Sequence, residues 1–280
     1  MQAFRAYTLE AAVRERQLVE AVGILKDAGI QALLGKGWAV ARHYARPALR
    51  PYGDIDLFLP AAETPRALAV LRQSGRPLPV DLHGGFAELQ DRGEAVLFAR
   101  STVVAVQGVP VRVLGPEDHL RLVALHLLRH GATRPIWLTD VAAMVEAGQD
   151  SLDWDLVLAG KPQAARAVAC VAGLAVRQLG AGAPEANALH AAGLDRLPDW
   201  LESELLEQWG RGSGFRLPLA DEISRPRRFL RELIRHWPNG IEASAGVGAP
   251  FGDGPRWPYQ LAFVAVRAAR FARTRGRFDR

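Results

Sequence analysis

Gly115-Pro116 divides this chain of 280 residues into two kinds of pattern. Before it, short apolar runs alternate with helical stretches. After it, apolar residues recur at helical spacing. Leu9, Val13, Leu18, Val22 and Leu25 outline an amphipathic helix over residues 8–28, stopped by Gly29. A short strand is expected from Ile30 to Leu34, ending in Gly35-Lys36-Gly37, and a helix over 38–46 before Pro47. Strand 54–59 stops at Pro60. Helix 63–73 follows, with Thr64 as cap and Pro65 in its first turn. Pro79–His83 reads as another strand, and valines on either side of Gly108 predict a β-hairpin over 95–113. Beyond the divide, helices are expected from Glu117 to His130 and over 136–147, 153–159, 162–178 and 199–209. The Gly/Pro-rich stretch 238–258 reads as a loop, and a basic helix starts at Tyr259. The expected organisation is an α/β half over 1–114 and a helical half over 115–280.

Composition narrows the function classes. A lone cysteine, Cys170, rules out an internal disulfide and a thiolate metal cluster, and its apolar surroundings predict burial. The start lacks the apolar stretch of a signal peptide, and no run reaches the roughly eighteen apolar residues of a bilayer span. A cytoplasmic protein is the expectation. The net charge is +5, carried mostly by arginine, since the only lysines are Lys26, Lys36 and Lys161. Arginines cluster at 225–235 and again at 267–280. Such patches suit nucleic acid, anionic lipid or phosphates. No zinc finger, glycine-rich RNA loop or RNP-like aromatic run accompanies them, so nucleic acid is not the expected partner. For the tail, Phe263, Val264, Val266 and Phe271 among arginines leave two readings open, a helix docked on the body and one touching a membrane surface.

Asp54 and Asp56 are two residues apart in an apolar run. On a strand they share a face, and carboxylates held that close repel unless a cation joins them. Asp81, in the next short strand, is the candidate third acid. Oxygen ligands of this kind favour Mg²⁺ or Mn²⁺ over zinc. An ordinary amphipathic strand with its acids in water produces the same alternation, so spacing leaves both readings open. Gly35-Lys36-Gly37 after a strand allows a tight turn close to a phosphate. It is not a Walker A loop, and a plain structural turn is the alternative.

Taken in order, Leu34-Gly35-Lys36-Gly37, then Leu49-Arg50-Pro51-Tyr52-Gly53-Asp54-Ile55-Asp56-Leu57, then Val80-Asp81-Leu82-His83 resemble the uncharacterised nucleotidyltransferase family of the DNA polymerase β-like superfamily. Gly115-Pro116-Glu117-Asp118-His119-Leu120, Leu125-His126, His130-Gly131 and Trp137-Leu138-Thr139-Asp140-Val141 extend the resemblance. It implies a small mixed sheet packed with helices, an α/β (α+β) core, followed by a mainly helical domain. It implies transfer of a nucleoside monophosphate from an NTP, with ATP the expected donor, to a hydroxyl of a small molecule or a protein or peptide, releasing pyrophosphate. Asp54, Asp56 and Asp81 would hold the metals, with Asp81 helping to activate the acceptor. Gly35 and Gly37 would form the turn beside the triphosphate. The superfamily commonly has Gly-Ser there, so Lys36 is the expected substitute for the serine contact. A catalytically silent binding or scaffold protein is the rival reading.

Four further positions have two readings each. Arg50 is a phosphate contact or a structural ion pair, and His83 orients a carboxylate or the acceptor, or is structural. His126 and His130, four apart on one helical face, line the acceptor cleft or form an inter-domain pair; Leu127 after the first histidine excludes a zincin helix. Asp140, on a largely apolar helix, is costly without a partner. It is a base or orienting group in the cleft, or pairs with an arginine.

Overall fold

The structure is a computed structural model that describes residues 2–149, 151–182, 197–211 and 236–278. Helix α1 (Gln2–Asp27) begins six residues before its expected start. It ends where Gly29 turns to φ +71°, and the Ile30 amide donates to the Leu25 carbonyl at 2.9 Å, closing the last turn. The chain spends residues 30–32 on that exit. The expected strand over 30–34 is therefore reduced to β1 (Leu33–Leu34). Helix α2 (Gly37–Ala41) is likewise shorter than the expected 38–46. The residue before Pro47 is driven extended, with Arg46 at φ −139°, and a 3₁₀ turn over Pro47–Leu49 follows.

Strand β2 (Ile55–Leu59), helix α3 (Thr64–Gln73), strand β3 (Val80–Gly84), helix α4 (Glu94–Arg100) and strands β4 (Thr102–Val106) and β5 (Val109–Val113) complete the sheet half. The strand order is β3-β2-β1-β5-β4. β2 pairs parallel to β3, and β1 pairs antiparallel to β2 and parallel to β5; β4 and β5 form the hairpin. The hairpin turns at Gln107 and Gly108, both at positive φ. It is shorter than the expected 95–113, because residues 94–100 are helical. Leu97 of α4 is fully buried against Phe86, Leu114 and Leu122, which a helix allows and an extended chain leaving Gly93 does not supply.

Strand β2 is buried on both faces. Ile55, Leu57 and Leu59 face α1 and α3, packing with Leu18, Leu25, Ala67 and Leu71. Phe58 faces the other way, against Leu33, Leu97 and Leu122. Each such fully buried Leu or Phe contributes about 1.5–3 kcal/mol.

A mainly helical region follows: α5 (Pro116–Arg129), α6 (Pro135–Ala147), α7 (Trp154–Leu158), α8 (Pro162–Leu179), α9 (Asp199–Arg211), α10 (Gly240–Val247) and α11 (Trp257–Phe278). Proline opens α5, α6 and α8, where its missing N–H costs nothing. Leu127, Leu138, Val141, Val171, Leu201 and Ile241 share one core, and Cys170 is buried in it as expected. Helix α10 corrects the expected loop over 238–258. Asn239 accepts from the Glu242 amide at 2.7 Å at its start, and Gly248 at φ +66° ends it. The arginine cluster expected at 225–235 lies outside the described residues. Among the described residues no helix is long and apolar enough to cross a membrane.

Helix α5 is tied to the sheet half by buried ion pairs that the sequence reading missed. Arg92 and Arg100 both reach the Asp118 carboxylate, Arg100 by two bonds of 2.7 and 2.8 Å. Arg121, fully buried, donates to Asp91 and to the Val157 carbonyl. Charges buried in pairs fix register, because one partner without the other is left uncompensated.

Candidate active site

Parallel pairing of β2 with β3 sets Asp56 beside Asp81 and Phe58 beside His83. Alternation along each strand then puts all four side chains on one face. The donor atoms of Asp56, Asp81 and His83 lie within 4.8 Å of one another. His83 Nε2 is 2.8 Å from Asp56 Oδ1 and 3.3 Å from Asp81 Oδ2, and the imidazole stacks on Phe58 at 4.4 Å between centroids. Asp56 is buried, whereas Asp81 is half exposed. That burial answers the question the alternation left open for Asp56: it is not an acid pointing into water.

The third partner is a lysine. Lys36 Nζ is 2.5 Å from Asp56 Oδ1 and 3.3 Å from His83 Nε2. Burial pushes the Asp56 carboxyl up. The hydrogen bond from His83 and the Lys36 ammonium outweigh it, and the group ends below its ordinary value.

The Gly35-Lys36-Gly37 turn is shaped by close approach. A Cβ on Gly35 would meet the Phe58 ring at 2.7 Å and Leu122 at 3.1 Å. Lys36 itself has φ 47° and ψ −146°, a region glycine normally occupies. Its amide donates to His119 Nε2 at 2.9 Å. His119 is fully buried on α5. Burial, with His43 and Arg42 nearby, holds its pKa down to about 3, so the ring is neutral and Nε2 accepts. The sequence reading noted His119 only within a block of similarity; no local signal shows that it would reach a turn 83 residues away.

Helices α5 and α6 form the opposite wall of a cleft of about 580 Å³. His126 and His130 lie 4.4 Å apart between centroids, with Trp137 edge-on to His126 at 5.1 Å. Burial, then the charge of Lys36, pushes His126 down to about 3; burial also lowers His130. Both therefore present uncharged rings. Arg129 is held by Glu88 at 3.0 Å, and Arg134 lies over the Trp137 ring. Of the readings left open for Asp140, the structure shows the arginine pair. Arg50 Nε and Nη2 donate to its two oxygens at 3.0 and 2.7 Å, and the Tyr44 hydroxyl donates at 2.7 Å.

The model of a family described as uncharacterised nucleotidyltransferases matches residues 1–78 and 76–180. The chain belongs to the uncharacterised nucleotidyltransferase family. No curated protein and no solved structure matches it. Family membership and the Asp56–Asp81–His83 cluster together support a nucleotidyltransferase-like catalytic site with the capacity to bind a divalent metal. The donor set fits such an ion. Carboxylates suit Mg²⁺ and Mn²⁺, and the imidazole, which the sequence reading did not count as a ligand, widens the range to transition metals.

In this member of the nucleotidyltransferase family Gly37, Arg50, Asp54 and His130 line the same cleft as the cluster. Asp54 precedes the first residue of β2 and is exposed, so it stands apart from the close group of three. Glu88, Tyr52 and Trp137 also line the cleft and were not singled out as site residues. They lie in a loop, before a strand and on a helix, where periodicity is silent about what faces inward.

Proposed function

We propose that this nucleotidyltransferase family member transfers a nucleoside monophosphate from an NTP, with ATP the expected donor, to a hydroxyl of a small molecule or of a protein or peptide. The observation that carries the reading is the register that sets Asp56 beside Asp81 next to the Lys36 turn. The acceptor oxygen attacks the α-phosphorus, the bond to the bridging oxygen breaks, and pyrophosphate leaves. Asp81, the exposed acid of the cluster, takes the acceptor proton. Asp54, Asp56 and Asp81, with His83, would hold Mg²⁺ or Mn²⁺, whose chemistry is to neutralise phosphate charge and lower the acceptor's pKa. Lys36 adds positive charge beside the phosphates; phosphoryl transfer depends chiefly on such positioning and charge. Asp140 positions Arg50, and His126 and His130 line the acceptor side. No nucleic acid is required by this arrangement.

One observation favours a catalytically silent binding or scaffold protein: Asp56 is already neutralised by Lys36. A single experiment separates the two. Purified protein is incubated with each labelled NTP, Mg²⁺ or Mn²⁺ and a cell extract. The enzyme reading expects label on an acceptor, pyrophosphate release, and loss of both in Asp56→Asn. No transfer under any of these conditions, with or without nucleotide binding, would leave the silent reading.

A further inference from the structure

The carboxylate cluster already contains a cation, and the way Lys36 is held suggests what it is for. Its ammonium sits on Asp56 Oδ1 and within 3.3 Å of His83 Nε2. Those two groups supply two of the three donors within 4.8 Å that could take a metal. An ammonium and a divalent ion on one carboxylate oxygen repel strongly at such separations. Neither can Asp56, buried as it is, be left with no cation at all. The two cations are therefore alternatives at this oxygen.

Lys36 is also built to move without moving its backbone. Its amide is fixed by His119, and its strained φ is flanked by two glycines that pack closely. The side chain, in contrast, is a flexible four-carbon stem with its charge at the tip, opening on the cleft. Arg50 and Arg129, which also reach the cleft, are committed to Asp140 and Glu88, and Arg134, a third, lies over the Trp137 ring. Among the described residues, Lys36 is the cleft cation that sits on a carboxylate of the cluster, where a metal can take its place.

We infer that Lys36 is a resident counter-ion of the carboxylate cluster, displaced by the incoming divalent ion onto the phosphates of the nucleotide, so that metal and polyphosphate bind cooperatively. The inference rests on the metal-dependent reading above. Coupling of this kind is reciprocal: what the ion gains from the phosphates, the phosphates gain from the ion. It also keeps the buried carboxylate neutralised whenever the metal is absent.

The test uses Mn²⁺ binding to the full chain, read from the EPR signal of free Mn²⁺, without nucleotide. Lys36→Met is expected to bind Mn²⁺ about tenfold more tightly than wild type, because the competing charge is gone. Lys36→Gln, a second uncharged variant, should do the same, and Lys36→Arg should not. With saturating Mn²⁺, Lys36→Met should bind inorganic tripolyphosphate about tenfold more weakly than wild type. Equal or weaker Mn²⁺ affinity in both uncharged variants overturns the displacement and leaves the metal site standing. Unchanged tripolyphosphate binding overturns the transfer to phosphate. No Mn²⁺ binding in wild type or in any variant overturns the metal reading as well.

Discussion

Arg50 closes a two-pronged hydrogen bond on Asp140, 90 residues further along the chain, at 3.0 and 2.7 Å. The pair joins the segment leading into β2 to the helical wall of the cleft, and it is buried at both ends. Truncating one partner leaves the other charged and unpaired. Asp140→Ala is expected to cost about 3–5 kcal/mol. The double variant Arg50→Met/Asp140→Leu should cost less than the sum of the single changes, measured by urea unfolding as a double-mutant cycle.

His119 predicts a pH dependence. Unfolded, it titrates near 6.5; folded, at about 3. Between those values the unfolded chain binds the extra proton. The stability that depends on a neutral ring is therefore complete above about pH 6.5 and is lost as pH falls toward 3. The slope from this one group is up to about 1.4 kcal/mol per pH unit. His119→Gln keeps an acceptor for the Lys36 amide and removes the titration. Urea midpoints at pH 5 and pH 7.5 should differ less in that variant than in wild type.

Gly35→Ala places a methyl group 2.7 Å from the Phe58 ring. Overpacking of this kind costs about 1–3 kcal/mol. The displaced ring is the one on which His83 stacks, so Mn²⁺ affinity should fall with stability. Adding Phe58→Leu, which makes room, should restore much of the stability but not the stacking. Thermal melts together with Mn²⁺ titration distinguish the two effects.

Asp56 and Asp81 should respond differently to the same change. Asp81 is half exposed, so Asp81→Asn should leave the melting temperature nearly unchanged while lowering kcat about 10²–10⁴-fold if it takes the acceptor proton. Asp56→Asn leaves Lys36 without its carboxylate in a buried site and should lower both transfer and stability. Equal melting temperatures for the two variants would count against the assigned burial.

Much of the fold is legible before any coordinates, where local chemistry decides. Pro65 and Pro116 mark helix starts, and Gly29 marks a helix end. Two misreadings share a cause. Residues 94–100 and 240–247 are short segments, the first apolar enough to suit a strand and the second lying in a Gly/Pro-rich stretch. Burial of Leu97 against Leu122 and the Asn239 cap, itself held on the Gly131 carbonyl, make them helices.

The sequence by itself determined that two strand acids and a glycine-flanked lysine occur in order within a mixed α/β and helical chain, and that order identifies the family. It did not determine which atoms meet. That Asp56 rather than Asp54 joins Asp81 depends on where the β2 ladder begins and on its register with β3. That His83 joins them, that Lys36 sits on Asp56, and that Arg50 is committed to Asp140 depend on pairings made across the sheet and between halves of the chain. Periodicity fixes which face a residue is on; which residue lies opposite is decided by packing and by the pairing of buried charge.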